Sequence, residues 1–328
     1  MGQSLNDPFT QEIERLRVDY ERKREQSNLG SAGGRQIVDL SIDLDDGVLC
    51  YTYWYEHQCI RLADIPGTLS GDILRLHQNL PSSVDNGDHE IIGDDIRLLK
   101  NVPPLPELDD DSEDLDTVLT SLPIVCKVDA SRHFVKKGKY KSEIENLLKC
   151  QGGSCPGVPI SSHIIQLLGK SPEGMLVFDK FVPRYFILGS IYPLSVYKDW
   201  ILQIISGMKQ LHSLGIVHRD LRIDNVVFSS DKSRVLICDL ESRWGNHLAP
   251  EVSRGPVLDA GWTERSDIYD LGYLIKGLVY GNSPVTFAVE WPVPPTLAAV
   301  VEACTCERPE ERPSLDDIYA MVDKIKTT

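Results

Sequence analysis

Asp220, Asn225 and Asp239 are the residues of this chain whose types and spacing could do chemistry. Asp220 and Asn225 stand five residues apart in Val217-His218-Arg219-Asp220-Leu221-Arg222-Ile223-Asp224-Asn225-Val226-Val227-Phe228, between a helix-like run and a β-rich run. A carboxylate in such a loop can accept or orient a proton, and a second carboxylate nearby offers a hard oxygen to a divalent cation. A His-Arg-Asp turn alone is more often a surface loop, and an Asp at a strand end is more often a buried structural group. Three such groups in one stretch weigh against both readings.

Further landmarks follow. Asp239-Leu240-Glu241 comes after strand-like runs at Asn225 to Phe228 and Arg234 to Cys238, and is succeeded by Ala249-Pro250-Glu251, Asp267-Ile268-Tyr269-Asp270-Leu271-Gly272 and Glu311-Arg312-Pro313-Ser314. Together with the H-R-D-L-x-x-x-N frame, these resemble the protein kinase superfamily in a divergent form, over residues 116–326. The compact activation segment and divergent N-terminal part are similar to kinase-like proteins of filamentous fungi.

The resemblance implies an α+β, two-lobed fold with a small β-rich N-lobe and a mostly helical C-lobe. It implies transfer of the γ-phosphoryl of ATP, with Mg2+, to the hydroxyl of a protein or small molecule, as an atypical serine/threonine-type kinase. In that scheme Asp220 orients the nucleophile, Asn225 and Asp239 hold metal, and Arg222 supplies positive charge at the transferring phosphate. Glu251 and Arg312 are the expected ion pair, and Asp267 the expected holder of the catalytic-loop backbone.

In the N-lobe, Leu122 to Val128 and Arg132 to Lys136 read as strands around Asp129-Ala130-Ser131, followed by a helix at Ser142 to Cys150. The family's phosphate-steadying lysine falls on Lys136, paired with Glu143, with Lys137 adjacent and Lys127 as a rival. Val177, Phe178 and Asp179 suit the strand and hinge where adenine would meet backbone. Two departures stand out. No glycine lies between Asp94 and Lys137, where kinases carry a glycine-rich phosphate cover, and Glu241 replaces the glycine of D-F-G. Leu240 can pack where the family has Phe, and Ser242 is the sole hydroxyl among the nine residues between Asp239 and Ala249. The alternatives are a pseudokinase acting as a regulatory or binding module, and a kinase-fold enzyme acting on a small molecule or transferring another group.

The elements that must position these groups are within reach of a chain of 328 residues with 41% hydrophobic content. The helix at Ser195 to Ser213 places Val196, Trp200, Ile204, Met208 and Leu211 at core spacing, and Leu214-Gly215 ends it before the catalytic loop. A net charge of -15 argues against nucleic-acid binding. The eight scattered cysteines read as reduced thiols; no apolar signal run or membrane span occurs, so an intracellular, cytoplasmic protein is expected. Gly2 is a near-miss for myristoylation, since Asn6 stands where Ser or Thr is required. Residues 1–115 read as an accessory region without an assignable function. They comprise a solvated helix at residues 10–26, a breaker at Gly30 to Gly34, β-like runs Gln36 to Asp43 and Val48 to Leu62 split by Asp45-Asp46-Gly47, and a helix at Ser70 to Asn79. From Pro81 to Ser121, with Pro103, Pro104, Pro106 and the run Asp109 to Asp114, a linker or loose surface is expected.

Overall fold

The computed structural model describes residues 7–25, 37–42, 48–55, 58–65, 68–76, 87–104, 111–243, 245, 248–253, 261–280 and 292–327. The chain divides into two compact units, one of Met1–Ile13, Asp111–Asn282 and Val293–Thr328, the other of Glu14–Asp110 and Ser283–Pro292. Helix α1, Pro8–Glu25, is not the solvated helix expected: Phe9, Ile13, Leu16 and Tyr20 are buried at helical spacing, while Val18 is exposed.

The smaller unit is a five-stranded sheet. β1 (Ile37–Ile42), β2 (Leu49–Tyr55) and β3 (Gln58–Ala63) form an antiparallel meander. Helix α2 (Leu69–Leu76) crosses over to β4 (His89–Ile92), which runs parallel to β3 and turns into β5 (Asp95–Leu98). Tyr51, Tyr53, Ile60, Leu62, Ile73, Leu74 and Ile91 make its core, so Tyr51 and Tyr53 of β2 serve packing. The Gly30 to Gly34 breaker and the Asp45-Asp46-Gly47 signal lie outside the described residues. The expected linker from Pro81 to Ser121 is corrected, since it holds β4, β5 and α3 (Asp116–Thr120). Its charged residues conceal a hairpin whose two-residue turn, Gly93-Asp94, needs the positive φ of 62° that Gly93 supplies.

The larger unit contains a small sheet of β6 (His133–Lys136), β7 (Leu167–Lys170) and β8 (Leu176–Asp179) in the order β6-β8-β7, with helix α4 (Lys141–Lys149) between β6 and β7 in sequence. The strand expected over Leu122 to Val128 does not form. A single bridge joins Ile124 to Lys170, because Pro123 has no N–H for the ladder and Ile124 and Val128 remain exposed. Asp111 and Glu113, read as part of a solvated acidic run, instead bond to this lobe. Asp111 accepts from the Tyr140 hydroxyl at 2.5 Å and pairs with Lys139 at 2.6 Å, and Glu113 accepts the Lys141 backbone N–H at 2.8 Å.

The remainder is mostly helical: β9 (Val182–Pro183), α5 (Arg184–Ile187), α6 (Leu194–Ser213), β10 (Val226–Phe228), β11 (Val235–Ile237), α7 (Pro250–Ser253), α8 (Glu264–Tyr280), α9 (Pro295–Cys304) and α10 (Leu315–Asp323). Trp200 of α6 packs edge-on against Phe228 and Tyr197, with ring centroids 4.9 and 5.7 Å away. Gly215, at φ 71°, closes α6 as its N–H reaches the His212 carbonyl, which delivers the chain into the loop of Asp220. This is the α+β, two-lobed arrangement that the resemblance implies.

A buried ion pair braces the helical lobe. Arg312, 2% exposed, meets Glu251 in two bonds of 2.6 and 2.8 Å, donates to the carbonyls of Cys306 and Arg265, and stacks on Tyr269. Removing one partner of such a pair strands the other. Arg312→Ala is therefore expected to lower unfolding stability by about 3 kcal/mol in urea titrations; a change below about 1 kcal/mol, the range of surface pairs, would contradict a structural role.

Candidate active site

The loop 217–225 is held by one buried carboxylate. Asp267, in the first turn of α8, accepts the backbone N–H of His218 at 2.8 Å and of Arg219 at 2.9 Å, and bonds to His212 at 2.9 Å. Arg219 sits at φ 71° and Asp239 at φ 63°, left-handed conformations costly for branched side chains and held here by surrounding bonds. His218 bonds through Nε2 to the Cys238 carbonyl at 3.0 Å, and the Cys238 N–H donates to the Asn225 carbonyl at 3.0 Å. The loop of Asp220 and Asn225 is thus stitched to the residue before Asp239.

Within that loop, Asn225 Nδ2 donates at 2.8 Å to both the backbone carbonyl and Oδ2 of Asp220. This commits its amide nitrogen to Asp220, so Oδ1 is the atom it would offer to a cation. With the Asp239 carboxylate, the set consists of hard oxygens suited to a divalent cation. Arg222 is engaged with Asp224, through Nε at 2.9 Å and its terminal nitrogen at 2.5 Å, and Arg184 meets the same carboxylate at 2.6 Å. Burial raises the Asp224 carboxyl, but Arg184 and Arg222 outweigh it and the net shift is downward. Asp224 and Arg184 were not singled out from sequence; an acid two residues past Arg222 was the available signal.

Across from this loop, β6 and α4 bring Lys136 and Glu143 together at 2.8 Å, and Lys136 also reaches Asp239 at 2.7 Å and Glu241 at 3.8 Å. Lys127 and Lys137 are exposed. Burial disfavours charge on Lys136, yet Glu143 and Asp239 outweigh it and hold the ammonium firmly protonated. Burial raises the Glu143 carboxyl against the pull of Lys136. Asn146, one turn beyond Glu143 on α4, donates to the Leu240 carbonyl at 2.9 Å, and Ser142 donates to the Glu241 carbonyl at 2.6 Å. Both lie within a turn of Glu143, a spacing that sequence could have flagged. Leu240 is fully buried, filling the place expected of an apolar residue. Trp244, Asn246 and His247 of the activation segment lie outside the described residues.

The strand and hinge expected at Val177, Phe178 and Asp179 fall on β8 and its end. Val177 and Phe178 occupy the middle strand of the sheet, facing Val135 and Phe134 on one side and Gly169 and Leu167 on the other. Their backbone groups are engaged in the two ladders, whereas Asp179, exposed at the strand end, faces only β6. Among the described residues, no strand pairs with the outer edge of β6.

Burial, then the neighbouring charge of Asp239, pushes the Glu241 carboxyl up to about 7 from 4.5. A carboxyl raised on folding lends stability that is complete below its unfolded value and lost as pH climbs through the folded one. Thermal melts in EDTA should show Glu241→Gln more stable than the parent at pH 8 and level with it at pH 5; a difference independent of pH would remove the titration from the account.

A family model described as the protein kinase domain matches residues 184–290. A probable LIM domain-containing serine/threonine-protein kinase of Dictyostelium discoideum is 25% identical over 209 residues, covering 56% of this chain and 31% of that protein. A serine/threonine/tyrosine-protein kinase of Arabidopsis thaliana is 31% identical over 157 residues, 38% of either chain. Among solved structures, the kinase domain of Mycobacterium tuberculosis PknI aligns at 21% identity with a TM-score of 0.41, over 49% of this chain and 71% of that one. The chain spans well under half the length of these curated relatives. With the loop of Asp220, the Lys136 and Glu143 pair and the Glu251 and Arg312 brace in one unit, and the family match over its helical lobe, the chain carries a domain of the protein kinase superfamily.

Proposed function

We propose that this domain transfers the γ-phosphoryl group of ATP to a protein hydroxyl, as a divergent serine/threonine-type kinase. The observation that carries the reading is that Lys136 meets Glu143 at 2.8 Å and Asp239 at 2.7 Å, with Asp239 following the strand stitched to the loop of Asp220 and Asn225. The printed names of the relatives, serine/threonine kinases, support a protein acceptor over a small molecule.

In this scheme Lys136 steadies the phosphates while Glu143 fixes its position. Asp220, held by the amide of Asn225, accepts the hydroxyl proton, and the Arg222 and Asp224 pair sets the charge beside it. Asp239 and Asn225 would hold Mg2+, which would supply positive charge against the nucleotide's phosphates. Adenine would meet the chain from Asp179 onward. Because the chemistry is chiefly positioning and electrostatics, the loss of a single aligned group is costly.

A second reading, nucleotide binding lost and the domain kept as a regulatory module, draws on two observations: the absence of glycine between Asp94 and Lys137, and the unpaired outer edge of β6 among the described residues. Two measurements separate them. A magnesium-dependent thermal shift with ATP, together with transfer of labelled γ-phosphate to protein, is expected. Asp220→Ala should keep the shift and lower transfer by about 100-fold or more; transfer undiminished in that variant would refute the assignment, and no shift at all would favour the module.

A further inference from the structure

We infer that Glu143, Asp239 and Glu241 form a divalent-cation site of their own, distinct from the pairing of Asp239 with Asn225 and filled without nucleotide. One oxygen from each of the three carboxylates lies within 4.8 Å of the others. Lys136 engages one oxygen of each, Glu143 Oε1, Asp239 Oδ1 and Glu241 Oε1. The second oxygen of each carboxylate takes no bond from Lys136. Glu143 is 2% exposed, and its Oε2 is buried with no hydrogen-bond partner. A buried carboxylate oxygen left without a donor is costly, and a cation is the group that satisfies it.

The charges point the same way. Three carboxylates face one ammonium, so two negative charges remain uncompensated in a half-buried pocket. One divalent ion restores neutrality. All the donors are carboxylate oxygens, which selects a hard cation over zinc or copper. Metal–oxygen bonds of about 2.3 to 2.6 Å span oxygens up to about 5 Å apart, whereas Mg2+, with bonds of about 2.1 Å, would need the ligands to draw in. The site therefore suits an ion of the size of Ca2+, for which Mn2+ serves as a paramagnetic hard-cation probe. Glu241 is the ligand that makes it, since it stands where the resemblance has glycine.

The claim is tested on the full chain without nucleotide, by Mn2+ electron paramagnetic resonance titration at pH 8 and competition with Ca2+. The expected result is one saturable Mn2+ per chain, displaced by Ca2+. Glu241→Gln and Glu241→Gly should each weaken it by about tenfold or more, and Asn225→Ala should change it by less than about twofold, as expected for a residue outside the set. Melting in EDTA checks that each variant is folded, and having two replacements at 241 guards against loss of either. Absence of saturable binding, affinity unaffected by both Glu241 variants, or loss of binding in Asn225→Ala would each overturn the inference. Phosphoryl transfer is not read in this titration, so a failure here leaves the proposed reaction standing, and an inactive chain can still bind the ion.

Discussion

The structure around the candidate site depends on one ammonium group. Lys136 draws together a carboxylate from α4 and two from the segment after β11, residues separated by about a hundred positions in the chain. Without that charge, Glu143 would be a carboxylate buried in apolar surroundings and Asp239 and Glu241 would repel each other. The orientation of α4 follows from it, and α4 in turn grips the segment through Ser142 and Asn146. Electrostatics fixes the point, and hydrogen bonds to backbone carry the constraint outward.

The helical lobe is ordered by a second use of the same device. Asp267 spends both carboxylate oxygens on the backbone of the loop that carries Asp220, and Arg312 spends its guanidinium on Glu251 and on carbonyls around it. These groups touch no reacting atom in the proposed scheme. Their burial makes them rigid, since an ion pair out of water cannot rearrange without exposing a bare charge. A left-handed Arg219 and Asp239 survive only because such bonds leave the backbone no cheaper alternative.

How much of this was legible depended on whether a position is dictated by local chemistry or by distant partners. The Glu251 and Arg312 pair forms as the resemblance implies, and of the α6 stripe Trp200, Ile204, Met208 and Leu211 are buried at the spacing read from sequence, while Tyr197 takes the buried place expected of Val196. Leu122 to Val128 misled because apolar, β-branched residues argue for a strand, while Pro123 and the lack of a partner that would bury Ile124 decide otherwise. The β4 and β5 hairpin hid behind acidic residues although Gly93-Asp94 is a turn signal, so charge outweighed alternation where it should not have. The docking of Asp111 and Glu113 on Tyr140 and Lys141 could not be read at all, since it joins residues nearly thirty apart with no local pattern between them.

Two departures from the kinase pattern, a missing glycine cover and a third carboxylate at 241, are physically connected. Glycine-rich loops bring backbone N–H groups, with their partial positive charge, close to phosphate, and this chain has no glycine between Asp94 and Lys137. Glu241 adds negative charge beside the lysine that would otherwise face phosphate freely. Both changes weaken the pull on an anion, so a nucleotide could be held only if further positive charge entered the pocket with it. In the proposed scheme that charge would come from a cation held at Asp239, whose carboxylate lies with those of Glu143 and Glu241.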